Sequence, residues 1–327
     1  MKILVTGAAG FIGYHAVKRL LEAGADVIGV DALTASYDLG LKRDRLARLN
    51  TPRFQFHEVD IAECEALSRC AGPDIETILH LAAQAGVRRS LEDPFSYERS
   101  NVAGHLSVLE YARRLKRLRH VVYASSSSVY GDRIDAPFKE SDRCEAPASI
   151  YAATKRAGEL ISETFSRVYD LPQTGLRFFT VYGEYGRPDM AYWSFLENML
   201  EGRPITLFNH GRLERDFTSV EDIAPMLVKI LEKPPTGAPP HAIYNLGAGA
   251  PVTLARFVNA IEQAAGRQAQ IHMEDMQPGD VRRTFADISR AQRDFGYSPK
   301  VGIEEGMASF VAWFLAYRRE RGLGSRL

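Results

Sequence analysis

Gly7-Ala8-Ala9-Gly10-Phe11-Ile12-Gly13 is the stretch that decides the fold, because of what stands on either side of it. The apolar run 2–6 before it predicts a buried strand, and the apolar spacing over 16–21 after it predicts a helix. The first glycine permits a tight turn, the second lets a pyrophosphate approach the backbone, and the third lets the helix pack on the sheet. The stretch therefore predicts a dinucleotide site facing the helix N-terminus.

Asp31 ends the next apolar run, 26–31, at a distance from the glycines that suits an acid accepting hydrogen bonds from an adenosine ribose. A carboxylate in this place repels a 2'-phosphate, so we expect NAD rather than NADP. The run 77–81 leads into Ala82 and Ala83, and small residues after a strand let the backbone approach a cofactor closely.

Strands and helices alternate through the first half of the chain, with further apolar runs at 54–60, 120–124 and 174–179. This alternation predicts an α/β fold with a Rossmann-like doubly wound parallel sheet. After about residue 180 the rhythm breaks into short pieces rich in Pro, Gly and Arg. We expect an NAD-binding domain over 1–180, with later segments returning to the sheet edge, and a smaller C-terminal α/β substrate-binding domain over 181–327.

Tyr151 and Lys155 stand four positions apart in a predicted helix, where such a pair lies on one face. An ammonium beside a phenol favours the phenolate, so the pattern predicts a lowered pKa and a general base at Tyr151. A surface pair is the plainer interpretation of the pattern alone. The serine run 125–128, at the end of a predicted strand, could hold the substrate oxygen against the phenol. With the glycine turn, it favours a hydride-transfer site.

Composition excludes several other classes of protein. Lys plus Arg and Asp plus Glu both number 41, so the basic excess typical of nucleic-acid binders is absent. No run reaches the roughly 18 apolar residues of a membrane span, and no secretory signal is evident, so we expect a cytoplasmic protein without a membrane partner. The three cysteines are expected to be reduced, and the eight histidines show no metal-ligand spacing.

These motifs occur in the order seen in the extended short-chain dehydrogenases/reductases, which act mostly on nucleotide-sugars, and the chain resembles them over nearly its whole length. Within that superfamily it is most similar to the bacterial UDP-glucuronate 4-epimerases. The stretches that carry the resemblance are 82–88, 124–131, 149–155, 175–183, 186–190, 208–211 and 215–217. It departs from the family at Ala32 and over 217–222, away from the predicted catalytic residues.

The resemblance implies three sets of site residues. Tyr151, Lys155 and Ser126 would be catalytic. NAD would be bound by Gly7, Gly10, Phe11, Ile12, Gly13, Asp31, Asp60, Ile61, Leu81, Ala82, Ala83, Asn101, Tyr151 and Lys155. The UDP-sugar would be bound by Arg88, Ser127, Ser128, Thr180, Arg187, Asn209, Arg215 and Arg282.

The arginines of the substrate set have separate expected roles. A guanidinium fork fits a carboxylate, so Arg187 would hold the sugar carboxylate, while Arg215 and Arg282 would face the diphosphate. Arg88, in a loop predicted from Gln84 to near Pro94, is interpreted equally well as an anion contact or as a solvated loop residue. Asn101, early in a helix predicted over roughly 97–115, is interpreted from the residues alone as polar surface.

The expected reaction is NAD-dependent 4-epimerisation of UDP-glucuronate to UDP-galacturonate through a 4-keto intermediate. A 4-keto uronic acid is a β-keto acid that tends to lose carbon dioxide, so a UDP-glucuronate decarboxylase is the nearest alternative. A UDP-glucose or N-acetylhexosamine 4-epimerase comes next, and a catalytically silent NAD-binding module last. Relatives are commonly homodimers through the helix that carries Tyr151 and Lys155, and we expect the same here.

Overall fold

A seven-stranded parallel sheet forms the centre of the molecule, which is described by a computed structural model over residues 1–133, 135–276 and 281–322. The strands of the chain are β1 (Lys2–Thr6), β2 (Asp26–Asp31), β3 (Phe54–Glu58), β4 (Thr77–His80), β5 (His120–Ser126), β6 (Gln173–Phe178), β7 (Thr180–Tyr182), β8 (Ile205–Phe208), β9 (Glu214–Arg215), β10 (Phe217–Ser219), β11 (His241–Leu246), β12 (Val252–Thr253) and β13 (Ile271–Glu274).

The large sheet has the strand order β11-β6-β5-β4-β1-β2-β3. The chain runs outward from β1 to β3 and then returns to build β4, β5 and β6 on the other side. The order therefore reverses between β1 and β4, which is where ligands bind in open α/β sheets, at the carboxyl ends of the strands. The predicted Rossmann-like doubly wound parallel sheet is confirmed.

Helices cover both faces of this sheet, because its central strands are buried along their whole length. They are α1 (Phe11–Glu22), α2 (Leu39–Ala47), α3 (Cys64–Ala71), α4 (Val87–Glu92), α5 (Pro94–Glu98), α6 (Gly104–Ala112), α7 (Ile150–Tyr169), α8 (Ala191–Leu200), α9 (Val220–Leu231), α10 (Leu254–Ala265), α11 (Ser289–Phe295) and α12 (Ile303–Glu320). Within the three described ranges, none of these helices is long and apolar enough to cross a membrane.

The region between β4 and β5 differs from the prediction. The sequence analysis expected an irregular loop over 84–94 followed by one continuous helix over 97–115. Instead, α4 and α5 occupy most of the first segment, and a π-helical turn over Arg99–Ala103 separates α5 from α6. A π-helical turn inserts one extra residue into the helix, and such turns occur often at functional sites.

The later part of the chain forms three two-stranded sheets beside the large one. β7 pairs with β10, β8 with β13 and β9 with β12. β11, from the same part of the chain, pairs with β6 and completes the edge of the large sheet. One hydrophobic cluster runs from Ile3 in β1 to Tyr317 in α12.

Candidate active site

The glycine turn lies between the end of β1 and the start of α1, at the switch point of the sheet. Gly7 has φ +72°, and a Cβ on it would lie 2.7 Å from the backbone nitrogen of Ala82. A side chain on Gly10 or Gly13 would collide with the carbonyl oxygen of Gly7. The turn itself therefore requires all three glycines, and it brings α1 close to the residues that follow β4.

The N-terminus of α1 is prepared for an anion. It begins at Phe11 and Ile12, with no side chain capping it and no acidic residue in its first turn. Backbone N–H groups in the first turn of a helix lack intrahelical acceptors, and the helix dipole adds partial positive charge there. This end of α1 suits a pyrophosphate.

Asp31, at the end of β2, is buried next to a lysine that the sequence analysis missed. One oxygen of Asp31, Oδ1, accepts a hydrogen bond from Lys42 Nζ at 3.1 Å and another from the backbone N–H of Leu33 at 2.9 Å. Both members of the ion pair are more than 90% buried. No short motif links them, and only the course of the chain into α2 brings Lys42 back to Asp31.

Asp60 and Ile61 follow β3 and make different contacts. The carboxylate of Asp60 accepts two hydrogen bonds from the guanidinium of Arg99, at 3.1 and 2.8 Å, and one from the backbone N–H of Ala62 at 2.9 Å. Ile61 is buried and packs so closely on Gly104 that a Cβ there would lie 2.8 Å from it. A cofactor contact by either residue stays a prediction.

Leu81, Ala82 and Ala83 are half-buried directly after β4, next to the glycine turn. The hydroxyl of Thr6 joins these strand ends, because it accepts a hydrogen bond from the Ala82 N–H at 3.1 Å and contacts His80 Nδ1 at 2.7 Å. The carboxyl ends of β1 and β4 are thereby held together at the switch point.

Asn101 sits in the π-helical turn and is buried, so its interpretation as polar surface is wrong. Its Oδ1 accepts from the backbone N–H of Gln84 at 2.8 Å, and its Nδ2 donates to the Gln84 carbonyl at 3.0 Å. Nδ2 also donates to Thr154 Oγ1 at 3.0 Å. Asn101 therefore connects the segment after β4 to α7, one residue before Lys155.

Tyr151 and Lys155 lie in the first two turns of α7. This helix starts where it does because Ser149 accepts a hydrogen bond from the Ala152 N–H at 3.1 Å and caps it. The Lys155 ammonium is buried and donates to the carbonyl of Ala124 in β5 at 3.0 Å. Burial lowers the pKa of Lys155 to about 8.

The pKa prediction for Tyr151 is wrong in its direction and cause. Burial raises the pKa of Tyr151 above its ordinary value, while a hydrogen bond with Ser126 and the positive charge of Arg187 oppose that rise. The ammonium of Lys155 is directed to a backbone carbonyl instead. The phenol is therefore protonated in the chain alone, and the predicted serine is its hydrogen-bond partner.

The serine run divides into residues with different partners. Ser125 is buried, and its hydroxyl donates to Glu159 Oε1 at 2.6 Å, within the buried ion pair of Glu159 and Arg177. Ser126 ends β5, and its Oγ lies 3.2 Å from Ser128 Oγ. Ser126 and Ser128 therefore contact each other at the end of β5, whereas Ser125 belongs to the core. A substrate contact by Ser127 or Ser128 stays a prediction.

Arg187 reaches the neighbourhood of Tyr151 from a loop between β7 and α8. Its guanidinium pairs with Asp189 and donates to the carbonyl of Ala85, in the segment after β4, at 3.2 Å. Its positive charge favours the phenolate of Tyr151 and so opposes the rise of the pKa that burial causes. The structure thus brings Arg187 and the predicted general base into one site.

Arg88 and Asn209 come close to one another through Phe208. Arg88 is in α4, and its guanidinium stacks on the ring of Phe208 with 4.4 Å between Cζ and the ring centroid. Phe208 ends β8, and Asn209 follows it with φ +49°. Arg88 is exposed but packed on an aromatic ring, so it is not a plain solvated loop arginine.

Arg215 and Arg282 are neighbours although 67 residues separate them in the sequence. The backbone N–H of Glu214 donates to the Arg282 carbonyl at 3.1 Å, and Arg215 Nη1 lies 3.4 Å from the same oxygen. Residues 277–280, which precede Arg282 closely in the sequence, lie outside the described ranges. The two predicted diphosphate arginines share one edge of the molecule.

Asp216 orders this edge, and sequence analysis assigned it no role. Its buried carboxylate accepts hydrogen bonds from the backbone N–H groups of Ala248, Gly249 and Ala286, at 2.6 to 3.1 Å. Its carbonyl accepts from the N–H of Thr180 at 3.1 Å. Asp216 therefore fixes Arg215 relative to Thr180, which starts β7 near the end of β6.

Comparison with known proteins agrees with this geometry. The model of the NAD dependent epimerase/dehydratase family matches residues 3–247. The chain is 42% identical to a probable UDP-glucuronate 4-epimerase of Rhizobium meliloti, over 98% of both chains. It is 43% identical to UDP-glucuronate 4-epimerase 1 of Arabidopsis thaliana, over 97% of this chain and 77% of the plant protein.

A solved structure is also similar over nearly its full length. This is the UDP-glucuronic acid 4-epimerase of Bacillus cereus in complex with UDP-glucuronic acid and NAD, with a TM-score of 0.89 and 33% identity. The match covers 97% of this chain and 100% of the Bacillus chain.

Proposed function

The chain belongs to the NAD-dependent epimerase/dehydratase family, and we propose that it interconverts UDP-glucuronate and UDP-galacturonate by 4-epimerisation. It is an NAD-dependent UDP-sugar 4-epimerase, an isomerase of the extended short-chain dehydrogenase/reductase superfamily. The relatives named above act on UDP-glucuronate according to their names, and they match this chain from end to end. The observation that carries the substrate proposal is Arg187 beside Tyr151, because a uronate brings a carboxylate to that place.

The residues of the first half fit NAD. The uncapped start of α1 suits the pyrophosphate, and the buried Asp31 suits the adenosine ribose. Lys42 holds Asp31 in place through the ion pair. When bound, NAD supplies a hydride acceptor for the sugar C4 and a positive charge beside the phenol.

Tyr151 is the proposed base: its phenolate, favoured by the positive charge that bound NAD would bring, takes the proton from the sugar O4 and returns it to the same oxygen when the ketone is reduced. Ser126 already bonds the phenol, so its hydroxyl can orient the sugar O4 at the same point. Lys155 holds α7 against β5 through the Ala124 carbonyl and places positive charge under the site. Asn101 aligns the segment after β4 with this helix.

The carboxylate decides between epimerisation and decarboxylation. The 4-keto intermediate is a β-keto acid, and it loses carbon dioxide most easily when its carboxylate leaves polar surroundings for apolar ones. We assign the sugar carboxylate to Arg187, with Ser127, Ser128 and Thr180 as neighbouring hydroxyl donors. A guanidinium and hydroxyl groups keep the carboxylate hydrogen-bonded, which opposes the loss of carbon dioxide.

The nucleotide end of the substrate is assigned to the later part of the chain. Asn209 would contact the uridine, and Arg88 stacks on the adjoining Phe208. Arg215 and Arg282 share one edge and match the two phosphates in number and charge. In this division the domain over 1–180 holds NAD, and that over 181–327 holds most of the UDP.

We also propose a homodimer in the cytoplasm. Leu106 in α6 and Leu160 and Val168 in α7 are exposed apolar side chains on two helices that pack together, and a second copy would cover them. Each of the three thiols donates to a backbone carbonyl and remains unpaired, as is usual in a reducing compartment.

Incubation with UDP-glucuronate, followed by proton NMR of the products, tests the function. UDP-galacturonate in equilibrium with the substrate is the expected result. UDP-xylose or a 4-keto pentose would replace the proposal with a decarboxylase. Conversion of UDP-glucose or UDP-N-acetylglucosamine in preference to the uronate would move the substrate class to the neutral sugars.

A further inference from the structure

Arg45 is a fully buried arginine in α2, one helical turn after Lys42. Its guanidinium makes five hydrogen bonds, which equals the number of N–H groups that an arginine can donate. Nε donates to the Tyr185 carbonyl at 3.1 Å. Nη1 donates to the Ala9 carbonyl at 2.8 Å and to the Tyr37 hydroxyl at 2.6 Å. Nη2 donates to the Tyr185 carbonyl at 2.6 Å and to the Gly186 carbonyl at 2.9 Å.

All of these acceptors are neutral oxygens. Over residues 1–133, 135–276 and 281–322, no carboxylate lies within ion-pair distance of Arg45, whereas the neighbouring Lys42 pairs with Asp31. Burial of a cation without a counter-charge is costly, and an apolar side chain of similar size would avoid that cost. Stability alone therefore does not account for the choice of arginine at this position.

The acceptors belong to two parts of the site. Ala9 is in the glycine turn, which holds the cofactor pyrophosphate in the proposed function. Tyr185 and Gly186 directly precede Arg187, the proposed ligand of the sugar carboxylate. Arg45 is thus the bridge between the turn that holds the cofactor and the loop that holds the sugar.

The loop before Arg187 needs such support. Tyr185 has φ +53°, a left-handed conformation that is strained for a bulky side chain. Two of the five Arg45 hydrogen bonds go to the carbonyl of this residue. The next residue, Gly186, packs so tightly on Tyr192 that a Cβ would collide with its hydroxyl. The backbone that leads to Arg187 is therefore held from both sides.

We propose that Arg45 is a positioning residue that fixes the distance and angle between the sugar carboxylate and the cofactor turn. The inference rests on the proposed function and deepens it. Hydride transfer requires close approach of two carbons, and a displacement of about 1 Å can cost about a hundredfold in rate. A lysine keeps the charge of Arg45 but cannot reach three carbonyls with a planar fork.

The test compares Arg45→Lys with wild type, and uses Arg48→Lys as the matched control. Arg48 follows α2, and its guanidinium stacks on the ring of the same Tyr185, 5.2 Å from the centroid, without contacting the carbonyl. Calorimetric titration gives the dissociation constants of UDP, UDP-glucose and UDP-glucuronate for each NAD-loaded protein. The ratio of the UDP-glucose to the UDP-glucuronate constant reports how well the carboxylate is held.

Arg45→Lys should lower this ratio about tenfold, leave the constant for UDP within twofold, and lower kcat for UDP-glucuronate about a hundredfold. Arg48→Lys should change none of the three. If Arg45 serves only packing, the lysine variant will lose thermal stability but keep the wild-type ratio, and the inference is then overturned. Wild-type protein that fails to turn over UDP-glucuronate would instead refute the proposed function.

A second variant decides the question if Arg45→Lys does not accumulate as folded protein. Tyr37→Phe removes only the hydroxyl that accepts from Arg45 Nη1, and it leaves the guanidinium and its carbonyl contacts in place. We expect it to lower the same ratio in the same direction by about threefold. An unchanged ratio in Tyr37→Phe, with Arg45→Lys unfolded, would reduce Arg45 to a structural residue.

Discussion

The catalytic region and the nucleotide region of the site are built in different ways. Ser126, Tyr151 and Lys155 stand on β5 and α7, which belong to the large sheet and its covering helices. Asn209, Arg215 and Arg282 stand on short strands and turns, and the buried carboxylate of Asp216 connects the segment of Arg215 with residues 248, 249 and 286. In the proposed function, the first region holds the reacting atoms in place, while the second binds UDP and lets the sugar turn.

Substitutions in the two regions should therefore separate chemistry from binding. Tyr151→Phe should give the largest effect, a loss of about a thousandfold or more in kcat, because it removes the only proposed proton acceptor at O4. The bound NAD, measured after denaturation of the purified protein, should stay at the wild-type level. Substantial turnover by this variant would rule out Tyr151 as the base.

Arg215→Ala should show the opposite pattern. Loss of a charged hydrogen bond to phosphate is worth about 1.5 to 3 kcal/mol, so KM for UDP-glucuronate should rise roughly 10- to 100-fold while kcat changes little. Arg283→Ala is the matched control, because that side chain is exposed and pairs with Glu214 at 2.8 Å. A fall in kcat without a change in KM would mean that the two regions are not separate.

Asp31→Asn tests the NAD site at the end of β2, within the large sheet. It removes the carboxylate acceptor for the ribose and leaves Lys42 without its buried partner. We expect the affinity for NAD to fall about tenfold, because a hydrogen bond to a charged acceptor is lost. The preference for NAD over NADP should also become smaller. Asp26→Asn, at the exposed start of β2, should keep the wild-type affinity and preference.

The smallest predicted effect concerns pH and stability. Burial lowers the pKa of His105 to about 3, and His105 stacks near His80, whose pKa burial also lowers. The unfolded chain protonates His105 below about pH 6.5, whereas the folded chain does not until about pH 3. The unfolded state therefore binds more protons in this window, and stability falls as the pH falls.

Denaturant unfolding at several pH values measures this effect. Protonation of such a histidine in the unfolded chain should lower the free energy of unfolding by up to about 1.4 kcal/mol per pH unit below pH 6.5. His105→Gln keeps a polar group that can reach Ser162, the hydrogen-bond partner of His105 at 2.8 Å. This variant should reduce the dependence of the free energy of unfolding on pH by the equivalent of about one proton. A slope that this variant leaves unaltered would show that His105 is charged or exposed in the fold.

The same contrast governs what could be predicted from sequence. Local patterns set the large sheet, so β1 and β2 have the predicted bounds and the glycine turn has the predicted place. Interruptions were missed where long-range contacts override the local pattern. The predicted helix over 97–115 breaks because Asn101 turns inward to bond Gln84 and Thr154.

Within the site, the missed residues are those whose partners are remote. Lys42 and Arg45 sit in an ordinary helical pattern, and nothing nearby marks the Asp31 or Tyr185 contacts that give them a role. The pKa of Tyr151 was mispredicted for a related reason. The i, i+4 spacing places Lys155 on the same helix face as Tyr151, but its ammonium donates to the carbonyl of Ala124 in β5 instead.

The central claim is that the protein removes a hydride from sugar C4 and returns the same one to the opposite face. UDP-glucuronate carrying deuterium at C4 tests it most directly, with the product analysed by NMR and mass spectrometry. In ordinary water, we expect UDP-galacturonate that retains all of the deuterium at C4. Product that has lost the deuterium, or that has lost carbon dioxide, would contradict it.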